Sequence, residues 1–165
     1  MTFQADGWTN KVRFYADSML GKFCRWLRLM GYDVQYATSN MNDNDIIEIC
    51  QRENLVLITR DDELSHRYSP SVFIRNDDYH SQLREFISLY PPDRSRYFSR
   101  CPLCNGPLEK TSDSNIMESL PEGVKKLHDH VYVCRNCGKI YWEGSHYFSI
   151  MDRLNEITGH HGEKP

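Results

Sequence analysis

The sequence predicts an α/β protein: a parallel sheet flanked by helices, followed by a small four-cysteine ribbon and a C-terminal helix. Three observations predict it. Short apolar runs alternate with amphipathic segments up to about residue 90. The segment Leu55–Thr59 runs apolar to its last residue, as a strand covered on both faces requires. Beyond the Pro91-Pro92 pair the alternation stops, and two Cys-x-x-Cys pairs follow.

Val12–Ala16 reads as the first strand, ending at Asp17. Ser18–Met30 reads as a helix stopped by Gly31. At 100° per residue, Met19, Leu20, Phe23, Trp26, Leu27 and Met30 share one arc. Lys22, Arg25 and Arg28 share the opposite arc, with Leu29 a misfit among them. Asp33–Ala37 is a short second strand, and Asn42 or Asp43 caps a helix with Ile46, Ile47, Ile49 and Cys50 inward. Leu55–Thr59 is the third strand and Ser71–Arg75 the fourth. Tyr79–Leu89 is a helix that turns Leu83, Phe86 and Ile87 inward. Strands alternating with helices imply crossover connections and a parallel sheet.

The chain has 165 residues, which suits one domain with a small appended module. The expected division is an α/β domain over 11–90, then a basic linker (Arg94, Arg96, Arg100), ribbon and C-terminal helix over 91–157. Residues 1–10 and 158–165 read as flexible ends. No apolar run approaches the ~20 residues that a membrane-spanning helix needs. Met1–Lys11 is polar and lacks a signal-peptide core, so an intracellular, cytoplasmic place is expected, with the nucleus as an alternative. The net charge of −3 does not announce a nucleic-acid binder, but carboxylates in a site would lower it, so local distribution matters more.

Four of the six cysteines form the pairs Cys101/Cys104 and Cys134/Cys137. A two-residue gap lets both thiolates of a pair turn toward one ion, and the following Gly106 and Gly138 are expected to supply positive φ. Four thiolates make a closed tetrahedral shell, so the expected metal is one structural zinc. A mononuclear iron site shares this geometry. The competing reading is two unrelated thiol pairs or a redox Cys-x-x-Cys.

Asp17 ends the first strand and Asp61 follows the third, while Asp43 and Asp45 open the helix after the second. In a parallel sheet those positions share one edge, where open α/β sheets bind ligands. Carboxylates gathered there would repel one another unless a divalent cation sat among them, and oxygen donors favour magnesium or manganese. Lys22, Arg25, Arg28 and Arg60 would then hold phosphates. Each residue also has a plainer reading. Asp17 caps a helix, Asn42 and Asp45 form a capping box, Arg60-Asp61-Asp62 is a solvated turn, and the basic arc is ordinary helix surface.

The motifs Phe14-Tyr15-Ala16-Asp17-Ser18-Met19-Leu20-Gly21-Lys22, Arg25-Trp26-Leu27-Arg28, Gly31-Tyr32-Asp33 and Leu57-Ile58-Thr59-Arg60-Asp61 are familiar in this order. So are Gln82-Leu83, Cys101-Pro102-x-Cys104-Asn105-Gly106 and Cys137-Gly138-Lys139-Ile140-Tyr141-Trp142-x-Gly144-Ser145-His146. Together, from Val12 to Leu154, they resemble the PIN-like RNase domain at the C-terminus of the mutator-seven exonuclease, with its zinc ribbon. The resemblance implies a PIN-like fold and a magnesium- or manganese-dependent ribonuclease that leaves a 3′-hydroxyl and a 5′-phosphate. It makes Asp17, Asp43 and Asp61 metal ligands and catalytic candidates, with Asp45 a further one. It places Cys24 where the family commonly has a small residue. It implies single-stranded RNA as partner. The alternative it carries is a non-catalytic RNA-binding and protein-docking domain of a longer 3′-5′ exonuclease.

Overall fold

The computed structural model describes residues 12–159. Four parallel strands, β1 (Phe14–Ala16), β2 (Val34–Tyr36), β3 (Val56–Thr59) and β4 (Ser71–Phe73), lie in the order β2-β1-β3-β4. Side chains alternate across this sheet as strand geometry dictates. Phe14, Ala16, Val56 and Ile58 enter one core, where α1 (Gly21–Leu29) and α4 (Tyr79–Leu89) supply Phe23, Leu27, Leu83 and Phe86. Tyr15 and Leu57 enter the other, against Ile46 and Cys50 of α2 (Asp43–Glu53) and Leu64 of α3 (Asp62–Arg67). Both faces are covered, and this is why β3 is apolar without alternation.

The predicted first helix begins as a 3₁₀ turn, Ser18–Leu20, because Asp17 caps it and the α-helical ladder starts only at Gly21. It ends at Gly31, where φ is +86° and a Cβ would collide with the Arg96 backbone. Helix α3 was not expected. It is six residues long and buries a single apolar side chain, too little to register as a periodicity.

The second sheet is antiparallel: β5 (Leu108–Thr111), β6 (Val131–Cys134) and β7 (Ile140–Tyr141). Two short helices, α5 (Ser114–Glu118) and α6 (Glu122–Leu127), fill the β5–β6 connection where only turns were expected. Helix α7 (Ser145–Thr158) was grouped by sequence with the ribbon, but it sends Leu154 and Ile157 into the first core. The expected flexible ends lie outside the described residues, except that Thr158 closes α7 and Gly159 caps it in the left-handed region.

The ribbon docks on the outer edge of β2. The Val34 carbonyl accepts from Arg28 Nε at 2.9 Å, and its amide donates to Asn105 Oδ1 at 3.2 Å. Asn105 and Arg100 also bond Asp33, at 2.7 and 2.9 Å. An exposed strand edge is thereby closed by the first cysteine knuckle.

Candidate functional site

The sulfurs of Cys101, Cys104, Cys134 and Cys137 all lie within 4.8 Å of one another, and this quartet can hold a metal such as zinc. The Cys101–Cys137 separation of 3.8 Å suits the edge of a tetrahedron with bonds of ~2.3 Å. The sequence-based account of the knuckles needs one correction. Gly138 has the expected positive φ, 71°, but in the first knuckle the left-handed residue is Asn105, at 66°. Gly106 is required for space instead: a Cβ there would sit 2.8 Å from the Cys134 sulfur. Burial pushes the Cys101 thiol up. The Tyr141 hydroxyl, 3.1 Å from its sulfur, and the amides of Cys104 and Leu103 outweigh that and bring it down to about 7. Burial pushes the Cys104 thiol up to about 12.

The acidic edge is built differently. Asp17 is buried at the C-terminal end of the central strand β1. Its Oδ1 accepts from the Met19 amide at 2.8 Å. Its Oδ2 accepts from the Thr59 hydroxyl and from the Arg60 amide, the latter at 3.0 Å. The same Thr59 oxygen accepts from the Asp61 amide at 2.9 Å, so one buried hydroxyl ties Asp17 to the Asp61 backbone. Asp61 caps α3 by accepting from the Leu64 amide at 2.9 Å. Asp43 pairs with Arg67 at 2.9 Å, and Arg67 also donates to Asn44. Asp45 completes a capping box with Asn42.

Each of the four aspartates therefore has a partner of its own. Among the described residues, Asp17, Asp43 and Asp61 do not gather into one cluster within the reach that unites the cysteines. Sequence reasoning passed over three residues here. Thr59 was read as the end of a strand and as part of the Leu57–Asp61 motif, with no role of its own. Arg67 lies on the unpredicted α3. Asp77 follows β4 at the same edge and pairs with Arg60. Asp77 was legible as an aspartate after a strand, as Asp17 and Asp61 were.

The basic residues separate. Lys22 is exposed, with its ammonium 3.6 Å from the Tyr79 ring centroid. Arg25 is exposed one turn further along α1. Arg28 corrects the expectation of a solvent-facing arc: it is 7% exposed. Besides the Val34 carbonyl, its guanidinium reaches those of Leu103 and Pro102, at 2.8 and 3.3 Å. The misfit Leu29 was the sign that this arc does not face water throughout.

The sequence model described as the Mut7-C RNAse domain matches residues 12–154. The chain belongs to the Mut7-C RNase domain family. No curated protein and no solved structure matches it. The Mut7-C match takes in both regions described above, the strand ends with their aspartates and the cysteine quartet, and it indicates a nuclease-like function directed at RNA. Among the described residues no helix is long and apolar enough to cross a membrane.

Proposed function

We propose that this Mut7-C chain is a metal-dependent ribonuclease module whose acidic edge acts on single-stranded RNA and whose ribbon is held by one structural zinc. The observation that carries the reading is the fixing of Asp17. Thr59, the Arg60 amide and the Met19 amide hold its carboxylate at the end of the central strand. These three donors leave one of about four carboxylate lone-pair sites for a cation. Asp61 is tied to it through Thr59, and Asp43, Asp45 and Asp77 follow neighbouring strands at the same edge. Asp17, Asp43 and Asp61 would hold magnesium or manganese. Such ions supply a hydroxide nucleophile and stabilise the leaving oxygen of a phosphodiester. Lys22, Arg25 and Arg60 bind the RNA backbone, and Arg28 leaves that set because it clamps the ribbon.

A second reading is favoured by a specific observation: every aspartate is satisfied by a cap or an ion pair without any ion. On that reading the chain holds RNA or a protein partner and does not cut. Asp61→Asn separates the two, because Asn caps a helix as well as Asp does but carries no charge. With labelled single-stranded RNA and manganese, the wild type is expected to cleave and to stop on chelation. Asp61→Asn is expected to fold normally and not to cleave. Equal cleavage by both proteins removes Asp61 from the metal site, and no cleavage by the wild type with RNA still bound rules out the catalytic reading.

A further inference from the structure

A groove of about 870 Å³ runs between α1, the ribbon and the start of α7. The chain carries a net −3, yet the groove lining has the opposite sign. Arg25, Arg100, Lys139 and Arg153 border it, and Glu143 is the one carboxylate among its lining residues. Glu143 is occupied, accepting from the Tyr132 hydroxyl at 2.9 Å. Arg100 is paired with Asp33, but Arg25, Lys139 and Arg153 have no carboxylate partner among the described residues. Unpaired cations around one cavity attract a polyanion through counterion release.

The groove also presents a ring. Trp142 is 38% exposed, and its indole lies 3.0 Å from where a Cβ on Gly144 would be, so the absent side chain at residue 144 leaves the ring its place. A partly exposed indole on the wall of such a groove is a stacking platform for an unpaired base. The remaining lining is largely apolar, so the groove would take bases on its floor and phosphates on its rim. Lys22 and Arg25, three residues apart on α1, continue this rim toward the end of β1 that carries Asp17.

We infer that this groove is the seat of the RNA strand, with phosphates on Lys139, Arg153 and Arg25 and a base stacked on Trp142. The inference rests on the RNA-directed reading above and adds to it the path of the strand, along α1 onto the ribbon. The cysteine quartet then has a functional reason, since it rigidifies the loops that carry Lys139 and Trp142.

The test measures binding of a labelled single-stranded oligouridine to the whole chain across several salt concentrations. It compares the wild type, the double variant Lys139→Glu/Arg153→Glu, Trp142→Ala, and Lys22→Glu at the acidic edge. Circular dichroism and metal content verify folding. The double variant is expected to bind at least tenfold more weakly and to lower the salt slope by about two. Trp142→Ala is expected to lose about tenfold. RNA is expected to quench tryptophan emission in the wild type, with most of that quench gone in the conservative Trp142→Phe. Unchanged affinity in the double variant and Trp142→Ala, with loss in Lys22→Glu, overturns the groove assignment and leaves the RNA reading standing. Absence of RNA binding by the wild type overturns both. Displacement of RNA from the acidic edge alone, with a protein segment occupying the groove, counts against the assignment in the same way.

Discussion

The cysteine quartet and the acidic edge both assemble residues distant in sequence, but their donors behave in opposite ways. The four sulfurs converge on one point. The four aspartates diverge, each carboxylate bound by an amide, a hydroxyl or an arginine. The difference follows from chemistry. Sulfur is a weaker hydrogen-bond acceptor than a carboxylate oxygen and four thiolates repel one another, so a cluster of them is stable chiefly around a metal. A carboxylate is an excellent acceptor and finds caps at every helix start. A metal held by the quartet would be part of the fold. A metal at the acidic edge would have to compete with bonds the fold already makes.

Breaking the quartet should have the largest effect. Cys134→Ser removes one thiolate from a closed shell, and structural zinc contributes roughly 10 kcal/mol or more in small metal-folded modules. The expected outcome is loss of the bound metal by elemental analysis and unfolding of residues from about Ser99 to Tyr141. The α/β layers should survive, but with the β2 edge bare. Hydrogen exchange at the Val34 amide, now protected by Asn105, should then accelerate. Retention of stoichiometric metal with a cooperative ribbon would break the comparison at its root.

Arg28→Ala comes next. It leaves the Val34 carbonyl with only the long, weak bond from the Cys24 thiol at 3.9 Å and withdraws the guanidinium from Leu103 and Pro102. Charge-assisted hydrogen bonds and a poorly satisfied buried carbonyl together suggest a loss of about 3 kcal/mol. Denaturant unfolding should show this, with RNA affinity changed far less than by charge reversal at Lys139 and Arg153. A loss of RNA affinity without loss of stability would return Arg28 to the phosphate-binding set.

Much of this was legible in the sequence, for reasons that particular residues make plain. The β3 run was recognisable because burial on both faces removes polar alternation, and α4 because Leu83 and Phe86 repeat at helical spacing. The quartet was legible because Cys-x-x-Cys spacing encodes its own geometry. Helices α3, α5 and α6 were not legible, since five or six residues that bury at most one side chain leave no periodic trace. Arg28 was misread because a helical wheel shows which face is polar but not what covers it. Thr59 was invisible as a site residue because a hydroxyl at a strand end has no pattern. Only the fold shows that it bridges Asp17 and Asp61.

Within the acidic edge, two substitutions of the same kind should differ. If the carboxylates repelled one another as the sequence suggests, removing one negative charge would relieve crowding and leave stability unchanged or raised. Asp17 is instead surrounded by donors, so Asp17→Asn turns one accepting oxygen into a donor facing Thr59 or the Arg60 and Met19 amides. A loss of about 1–3 kcal/mol follows. Asp61→Asn keeps its cap and should stay within about 0.5 kcal/mol of wild type. Thermal melts in metal-free buffer decide between these pictures. If Asp17→Asn melts higher than the wild type, like-charge crowding governs the edge after all.

The smallest effect on stability sharpens the contrast most. Arg67 and Asp43 form an ion pair with 37% and 44% of their side chains exposed. Exposed pairs of this kind contribute about 0.2–1 kcal/mol, so Arg67→Ala should barely move the melting temperature. Its effect on metal should be larger and opposite in sign. A cation that takes Asp43 as a ligand must first displace the guanidinium, which both occupies the carboxylate and repels the ion. Removing Arg67 should therefore strengthen manganese binding several-fold, as titration calorimetry can measure, while zinc retention by the ribbon stays unchanged. An unchanged manganese affinity would mean that Asp43 is no ligand. Weaker manganese binding would mean that Arg67 positions the carboxylate for the metal. The first result would redraw the acidic edge around Asp17 and Asp61 with their Thr59 link, and the second would add Arg67 to it as a positioning residue.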